Sequence, residues 1–479
     1  MGYATMLLLL AAIFSLGHCY HYAPITPKSP VFPFRSREDI DYRHDHHHHR
    51  DHRRHDNYYD GISTDEHKFQ AGSAPFPPMS RFPRQYRLET VFQWSYLDWV
   101  QGAVERTGKN FTLGNPLTQD VDIDSRGRVF VTSPQWLEGT PVTLSLITNQ
   151  NGLGGPLLTP YPDWTWHKAG DCDSIVSVYR VAIDECDRLW MVDTGSASGK
   201  SVCPSKILAF DLKTDKLLLK YIIPERQTVN NEASYVNPIV EVGKTCQDTY
   251  LYVADVLKHG ILVYDLRLNR SWRLNNTVNN AFGNDPEAGK ITIEGESIDL
   301  TDGTLGMTLT PRGLFPKRYL YFNSLASFYQ KVLESDSLKR SFVYEPIMYQ
   351  SLAKRQSQAG VQAISKNGIM FFQLAEFTAL ACWNVRQPFK PENVVVVARN
   401  PRLLQYISGM KVLVNAEGTE ELWFNTNRLQ KTINNSRKIN EINFRLIRGS
   451  VDDLVEGTKC QQNDASGAEF RVEDGWQRI

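Results

Sequence analysis

Six copies of one two-strand pattern constrain this fold more than any other feature, and they recur roughly every 50–70 residues. Each copy is a short alternating strand, a polar turn, and a second strand with an aromatic or large apolar centre. The copies are QDVDIDSRGRVFVTSP (119–134), YRVAIDECDRLWMVDTG (179–195), PIVEVGKTCQDTYLYVADV (238–256), LGMTLTPRGLFPKRYLYFNSL (305–325), GVQAISKNGIMFFQLA (360–375) and SGMKVLVNAEGTEELWFNTN (408–427). Regular repetition of this kind indicates one large repeat architecture.

Most copies are followed by a second strand pair, such as KILAFDLKTDKLLLKYIIP (206–224) and GILVYDLRLNRSWRL (260–274). Alternation with a period of two, bounded by Gly, Asp, Asn and Lys turns, is typical of strands. Four strands in each of six units predict an all-β protein, a six-bladed β-propeller with four-stranded antiparallel blades. An α/β alternative would need amphipathic helical stretches, and none longer than about ten residues is present.

The stretch DECDRLWMVDTG (184–195) tests this interpretation, because Asp-Thr-Gly is also a catalytic motif of aspartic proteases. Such a protease would need a second copy of the motif and a hydrophobic flap, and the sequence has neither. We therefore expect Leu189 to Val192 to alternate between the faces of the second blade, with Asp193 and Gly195 ending the strand.

The chain divides into four segments. Residues 1–19 contain an apolar run too short to span a bilayer, which is typical of a signal peptide. Residues 20–87 are rich in proline and histidine and predict a disordered arm. The propeller is expected over 88–460, and 461–479 forms a C-terminal tail.

Seven histidines lie between His44 and His55 of the arm. A loose Zn²⁺ or Cu²⁺ site or a pH-sensitive segment is one interpretation. We favour a low-complexity segment without a specific ligand, because a flexible chain fixes no coordination geometry.

Loss of Cys19 with the signal peptide would leave six cysteines, an even number that predicts disulfides in an oxidising compartment. Cys186 and Cys246 occupy the same turn of consecutive blades, which predicts a bridge between them. The remaining pairs are then Cys172 with Cys203 and Cys382 with Cys460, although fifteen pairings are allowed by six cysteines.

Export is also supported by four N-glycosylation sequons, at Asn110, Asn269, Asn275 and Asn434. The expected product is a secreted glycoprotein. A formal net charge of zero gives no electrostatic reason for nucleic-acid binding, and no later apolar segment suggests a membrane span. The sequence does not determine an oligomeric state.

Six separated stretches resemble the yellow / major royal jelly protein family of insects, over essentially all of 88–460. They are YRVAIDECDRLWMVDTG, KILAFDLKTD, YLYVADVLKHGILVYDL, YLYFNSLASF, GIMFFQLAEFTALACWN and LWFNTNRLQK. Gln373 and Ala381 stand where the family usually has glycine, and the long side chain of Gln373 would narrow a nearby cavity.

The resemblance implies a secreted protein of the melanin pathway, acting in pigmentation of cuticle or eggshell and binding a catechol- or indole-derived molecule at the propeller mouth. Two alternatives stay open: a dopachrome-converting tautomerase, and a biogenic-amine-binding or structural matrix protein. The resemblance does not decide whether the chain is an enzyme, because members share the fold and differ in activity.

Candidate ligand-binding residues come from the predicted tunnel, whose lining is supplied by the innermost strand of each blade. Polar residues near the starts of these strands, and a turn after the second strand of blade five, are expected at a mouth. With Gln373, the candidates are Asp120, Asn237, Gln358, Glu376, Phe377, Thr378 and Ser408. Glu376 is the expected partner of a ligand ammonium group, with Phe377 stacking on the ring.

No metal or cofactor is expected, since G-x-S-x-G, H-E-x-x-H and Walker motifs are absent. Asp120 and Asn237 could contribute to a calcium site, but the other inner strands offer no convincing further ligands. His167 and His259 are the only histidines of the propeller and could act as acid or base. We interpret both as surface-loop residues.

Overall fold

The computed structural model describes residues 87–275, 280–461 and 475–479. The predicted signal peptide, the histidine-rich arm up to residue 86 and most of the C-terminal tail lie outside these ranges, as does part of the sequon at Asn275. Within the described part of the chain, every helix is too short or too polar to cross a bilayer.

The described residues are mainly strands, because the alternating segments of the sequence each form one. In chain order the strands are β1 (Glu89–Trp94), β2 (Asp120–Ile123), β3 (Val129–Thr132), β4 (Leu144–Asn151), β5 (Pro156–Pro160), β6 (Val178–Ile183), β7 (Arg188–Asp193), β8 (Ser196–Ala197), β9 (Lys200–Ser201), β10 (Lys206–Asp211), β11 (Lys216–Ile222), β12 (Tyr235–Val242), β13 (Thr249–Asp255), β14 (Gly260–Asp265), β15 (Arg270–Leu274), β16 (Lys290–Ile293), β17 (Glu296–Asp299), β18 (Thr304–Leu309), β19 (Tyr319–Ser324), β20 (Tyr329–Glu334), β21 (Met348–Lys354), β22 (Gln362–Ile364), β23 (Ile369–Leu374), β24 (Ala379–Asn384), β25 (Val394–Arg399), β26 (Tyr406–Val414), β27 (Glu420–Asn427), β28 (Phe444–Ser450) and β29 (Trp476–Arg478).

Helices are short and lie in the connections. The α-helices are α1 (Ala103–Thr107), α2 (Ser335–Lys339), α3 (Leu429–Ile433) and α4 (Val451–Val455). Single turns of 3-10 helix occupy Trp164–His167, Glu225–Gln227, Pro286–Ala288 and Pro391–Asn393.

Six antiparallel sheets form the blades of a six-bladed propeller, as the repeats predicted. From the inside outwards the blades are β2-β3-β4-β5, β6-β7-β10-β11, β12-β13-β14-β15, β18-β19-β20-β21, β22-β23-β24-β25 and β26-β27-β28-β1. Each innermost strand contacts the innermost strand of the next blade, and β26 contacts β2 to complete the ring. The six innermost strands therefore surround a central tunnel.

Packing between blades buries both faces of each sheet. In β7, Leu189 and Met191 join an apolar cluster shared with blade one, whereas Trp190 and Val192 join a cluster shared with blade three. The alternation expected for DECDRLWMVDTG is thus confirmed.

Asp193 ends β7 and is fully buried. Its carboxylate lies 2.8 Å from the ammonium of Lys206 and accepts the backbone N–H groups of Val176, Ser177 and Gly195. These contacts fix the segment that leads into β6, so the Asp-Thr-Gly motif is structural.

Both ends of the described chain fasten onto outer blade edges. The N-terminal strand β1 pairs with β28, so blade six combines strands from the beginning and the end of the propeller. The C-terminal strand β29 lies within the segment predicted as a tail, and it pairs with β21 as a fifth strand of blade four. Trp476 of β29 packs against Trp383 and Phe389 of blade five, with ring centroids 6.2 and 6.3 Å apart.

The structure forms the three predicted disulfides. Cys186–Cys246 joins the first turns of blades two and three, and Cys172–Cys203 closes a loop beside blade two. Cys382–Cys460 ties β24 to the segment after α4. Each bridge links segments that are distant in sequence, which restricts the unfolded chain.

The tunnel has two ends, which we name from the direction of the innermost strands. The strand-start mouth lies where these strands begin, and the strand-end mouth lies where they finish. The β16–β17 hairpin covers the strand-start mouth, because Ile291, Ile293 and Ile298 pack against Leu305 and Tyr406 from the starts of two inner strands. An ion pair of 2.7 Å between Glu296 and Lys431 holds the hairpin to α3.

Candidate functional site

A cavity of about 470 Å³ occupies the tunnel and opens at the strand-end mouth. All six innermost strands contribute to its wall. Polar groups come from Asp122, Arg180, Asn237, Gln362 and Lys411, and apolar groups come from residues such as Met307, Ile239 and Val412. The wall exposes more polar than apolar surface. Convergent polar groups fix the orientation of a small molecule, so this cavity suits a polar ligand that forms hydrogen bonds.

β-Bulges near the starts of the inner strands position polar groups at the closed, strand-start end of the cavity. We call this end the cavity floor. The pairing register of β6 shifts between Val178 and Val181, which places Arg180 within a bulge. The register of β18 shifts between Thr304 and Gly306, around Leu305. A bulge leaves its extra residue outside the regular ladder and redirects its groups.

Arg180 crosses the tunnel and closes the cavity on the strand-start side. Its two terminal nitrogens donate to the carbonyl oxygens of Leu305, at 3.3 Å, and Gly360, at 3.0 Å. The Nδ2 group of Asn237 donates to the same Leu305 carbonyl at 2.8 Å. Since Arg180 is 2% exposed, its guanidinium is a buried and fixed part of the floor.

Asp120 and Asp122 lie on one face of β2 and bind backbone groups of the neighbouring inner strand. Oδ2 of Asp120 accepts the N–H of Val181, and Oδ2 of Asp122 accepts the N–H of Ile183, both at 3.0 Å. Inner strands have no further strand on the tunnel side, so these N–H groups would otherwise lack partners.

Asp122 is the lining carboxyl whose ionisation is most perturbed. Its pKa is raised to about 7, chiefly by burial and also by the charge of Asp120, against the opposite effect of Lys411. A carboxyl with this pKa exchanges a proton near neutral pH, as a general acid or base must.

Lys411 lies beside both aspartates. Its Nζ atom lies 2.8 Å from Oδ2 of Asp120, whose side chain is completely buried. Gly409 permits this approach of β26 to β2, because a Cβ atom there would lie 2.1 Å from Oδ1 of Asp120. The pair therefore holds the first and last blades together at the cavity.

Charges at the rim of the cavity are paired. Arg312 lies 2.6 Å from Glu185, and it also donates to the Val242 carbonyl. Asp184 lies 2.7 Å from Arg188. Among the charged lining residues, Asp122 and Arg180 therefore remain without an ion-pair partner in the described part of the chain.

Of the eight residues predicted from sequence, the structure brings one into the cavity wall, which is Asn237. Asp120 adjoins the cavity through its ion pair with Lys411. Its Oδ2 atom is occupied by that ammonium and by the Val181 N–H.

Three other predicted residues serve the framework near the strand-start mouth. Gln358 precedes β22, and its Nε2 donates to the carbonyls of Ala288 and Lys290 beside the covering hairpin. Gln373 is buried at the end of β23 and donates to the Gln405 carbonyl at 3.2 Å. The hydroxyl of Ser408 accepts from Asn425 at 2.7 Å.

Glu376, Phe377 and Thr378 form the turn between β23 and β24, outside the cavity wall. Oε1 of Glu376 accepts the N–H of Thr292 at 3.0 Å and so binds the covering hairpin. Phe377 packs on the cluster between blades four and five. Thr378 adopts a positive φ of 47°, as a turn residue.

A second unusual carboxyl, Asp302, lies near the strand-start mouth. Burial raises its pKa to about 6, and the carboxylate has no hydrogen-bond or ion-pair partner among the described residues. Its charge also acts on the phenol of Tyr179, whose pKa burial raises to about 12. Burial and the charge of Asp302 likewise raise the pKa of the Tyr406 phenol.

The prediction of a surface position is wrong for His167, which is completely buried in the 3-10 helix Trp164–His167. Its Nε2 lies 3.0 Å from the Tyr161 carbonyl, so Nε2 carries the proton and donates. The stretch PDWTWHKAGDCD has the composition of an exposed loop, but its 3-10 helix places His167 in the interior of the protein. His259 is half-buried in a turn, near the Thr301 carbonyl.

The described residues contain no group of three His, Cys, Asp or Glu side chains placed to hold a metal ion. All four sequon asparagines are exposed. Glycosylation at these positions remains a prediction.

Asp122, Arg180 and Lys411 were missed because polar residues of the inner strands were sought only near the strand starts, and Gln362 was missed because the start of β22 was expected at Gln358. Each lies inside a strand copy: DVDI, YRVAI, QAI and MKVLV. The available signal is a charged or amide residue within an otherwise apolar inner strand, since such a residue must find a partner in the tunnel.

Comparison with known proteins identifies the family. The family model described as major royal jelly protein matches residues 176–460. Major royal jelly protein 9 of Apis mellifera is 36% identical over 390 residues, covering 78% of this chain and 90% of that protein. A dopaminechrome tautomerase of Drosophila melanogaster is 30% identical over 417 residues, covering 81% of this chain and 88% of that protein.

Among solved structures, a virginiamycin B lyase from Staphylococcus aureus aligns with 74% of this chain and 99% of its own, at 10% identity and a TM-score of 0.36. That likeness is too distant to bear on function. The sequence relatives cover nearly all of the propeller, and the chain therefore belongs to the major royal jelly protein family, as its yellow-type motifs indicated.

Proposed function

We propose that this protein is secreted, acts in the melanin pathway of cuticle or eggshell, and tautomerises a catechol-derived aminochrome in the strand-end mouth. The observation that carries the proposal is the carboxyl of Asp122, which lines a ligand-sized cavity with a pKa raised to about 7 by burial. Tautomerisation needs a group that removes and returns protons at neutral pH.

The chemistry requires only proton transfers. The carboxylate of Asp122 removes a proton from a ring carbon, and the electron pair of that C–H bond moves into the ring towards the quinone oxygen. The oxygen is then protonated, which gives a quinone methide. Loss of a second proton from the adjacent ring carbon, with protonation of the second quinone oxygen, yields the dihydroxyindole isomer, so two C–H bonds are replaced by two O–H bonds and no atoms are gained or lost. Arg180 and Lys411 supply positive charge beside the cavity, which stabilises the negative charge that develops on oxygen.

Two further observations support the proposal. A relative that is 30% identical over most of its length is named a dopaminechrome tautomerase. Three disulfides fit the oxidising compartment that a secreted protein passes through.

The test uses purified full-length protein and dopaminechrome freshly made by oxidation of dopamine. We expect the visible absorbance of the quinone to disappear faster than with heat-inactivated protein. Asp122→Asn should lower the turnover number by about 10²- to 10⁴-fold, while Asp452→Asn, at an exposed position of α4, should not change it. A wild-type rate equal to that of the heat-inactivated control would refute the proposal.

A second candidate function, binding of a biogenic amine, is favoured by Asp302 near the strand-start mouth. Its carboxylate has no partner among the described residues and lies close enough to act on the phenols of Tyr179 and Tyr406. A carboxylate next to aromatic rings is suited to an ammonium group attached to a ring. Calorimetry with dopamine and serotonin tests this function separately from the tautomerase assay.

A further inference from the structure

Two polar atoms on the cavity floor are buried without a partner among the described residues. They are Nε of Arg180, a donor, and Oε1 of Gln362, an acceptor. Both residues line the cavity. A buried polar atom without a hydrogen bond is costly, so a ligand that reaches these two atoms and gives each a partner is favoured.

Each side chain is already fixed by its other contacts. Arg180 holds the Leu305 and Gly360 carbonyls through its terminal nitrogens, and the Nε2 group of Gln362 donates to the Tyr321 carbonyl at 2.8 Å. The open donor and acceptor therefore have set positions before a ligand arrives. Preorganised groups bind at a smaller entropic cost than mobile ones.

The charge balance of the floor is positive. Arg180 has no carboxylate within the 4.0 Å limit for an ion pair in the described structure. At the rim, Glu185 and Asp184 are each neutralised by an arginine. Asp122 is uncharged in a large fraction of molecules at neutral pH, since its pKa is raised to about 7 by burial. A ligand ammonium group would therefore meet an unpaired guanidinium at the floor.

We propose that Arg180 and Gln362 determine the specificity of this cavity, so that it takes catechol-derived rings bearing a carbonyl or carboxylate oxygen and disfavours rings bearing an ammonium group. The ligand oxygen accepts from Arg180, and an adjacent hydroxyl or N–H donates to Gln362. The inference rests on the proposed function, because it names the substrate class of the same cavity.

The test compares three probes by calorimetry on the full-length wild-type protein: 3,4-dihydroxybenzoate, 3,4-dihydroxybenzylamine and unsubstituted catechol. The first two share the catechol ring and differ in the charge of one substituent. We expect the benzoate to bind roughly ten- to a hundredfold more tightly than the benzylamine, the range of one charge-assisted hydrogen bond. This measurement needs no variant.

Variants assign the preference to the floor. Arg180→Gln should abolish the preference for the benzoate, so that the benzoate and the benzylamine bind with similar affinity. Arg180→Lys retains the charge and should keep part of the preference. Arg226→Gln makes the same change at an exposed position outside the cavity and should keep all of it.

Each result has a defined meaning. Equal binding of the benzoate and the benzylamine, or tighter binding of the benzylamine, overturns the specificity inference when it persists in Asp302→Asn protein, which lacks the carboxylate of the second candidate site. Aminochrome turnover in the separate assay would still support the proposed function in that case. Binding of none of the three probes overturns the inference, and absence of turnover as well overturns the proposed function. An unchanged preference in folded Arg180→Gln protein removes Arg180 from the recognition role.

Discussion

The ammonium of Lys411 lies 2.8 Å from Oδ2 of Asp120 and joins the inner strands of the sixth and first blades. The same ammonium lowers the pKa of Asp122, two residues further along β2, against the larger effect of burial. One ion pair thus closes the ring and adjusts the ionisation of the proposed catalytic carboxyl.

The first prediction concerns the pH dependence of the wild-type protein. Asp122 acts as a base only when it is deprotonated, and burial raises its pKa to about 7. Aminochrome turnover should therefore rise with pH and level off above a midpoint near 7. The measurement is kcat/KM across pH 5 to 9, and a rate that is flat over this range would contradict the assignment.

The second prediction concerns Lys411→Met. Loss of the positive charge should raise the pKa of Asp122, so the midpoint of the pH–rate profile should move upward by on the order of one unit. Lys411→Arg keeps the charge and should keep the midpoint. The methionine variant also leaves Asp120 buried without its partner, and its free energy of unfolding should fall by about 3 kcal/mol. A lower stability with an unmoved midpoint would show that Lys411 is structural only.

The third prediction concerns stability in acid. Burial, with the charge of Lys109, lowers the pKa of His167 from 6.5 to about 3. Between these values the unfolded chain binds a proton that the folded protein does not, so the free energy of unfolding decreases as pH falls. His167→Gln removes this contribution, worth about 2–3 kcal/mol between pH 6.5 and 4.5.

Urea unfolding at several pH values measures the effect. His259→Gln is the matched control. Burial also lowers the pKa of His259, but the side chain is only half-buried, so its removal should change the slope less than removal of His167. Equal slopes for wild type and His167→Gln would mean that His167 is protonated in the folded protein.

The fourth prediction concerns the C-terminal strand. Trp476 is 7% exposed and packs against Trp383 and Phe389. Trp476→Ala should lower the free energy of unfolding by about 3 kcal/mol, through lost burial and the cavity that remains. Gln477→Ala, at an exposed position of the same strand, should change it by less than about 0.5 kcal/mol. Similar unfolding curves for the two variants would mean that β29 contributes little to stability.

The fifth prediction concerns the strand-start mouth. If amines bind there, Glu376→Gln and Asp302→Asn should each weaken dopamine binding roughly ten- to a hundredfold. Glutamine retains an acceptor for the Thr292 N–H, so the covering hairpin should stay in place and the melting temperature should hardly change. Unaltered calorimetric affinity in both variants would exclude these carboxylates as ammonium partners.

Much of the fold follows from local sequence. Alternation with a period of two marks the strands, and recurrence of the two-strand copy gives the number of blades. The pairing of Cys186 with Cys246 follows from the equivalence of two turns in neighbouring blades. These features depend on residues close together in sequence or on repetition, which a single sequence displays.

The site follows much less directly. Asp122, Arg180 and Lys411 come from three blades, and their proximity depends on ring closure. The bulge at Arg180 shifts the pairing register by an amount that alternation does not reveal. Alternation also does not mark where β22 begins. The start was expected at Gln358, whereas the strand begins at Gln362. The sequence also gave no sign that residues 290–299 cover the mouth that was expected to hold the ligand.

The position of β1 in blade six has a consequence for biosynthesis. The first strand of the propeller to leave the ribosome pairs with one of the last, β28, and meets no other strand of its blade. The sixth blade therefore cannot be completed until β28 has been synthesised, and β1 stays unpaired while the five other blades are made. A nascent chain that stops before residue 444 carries both an unpaired β1 and an open edge on blade six, so truncated products should be captured by chaperones or aggregate instead of accumulating as partial rings.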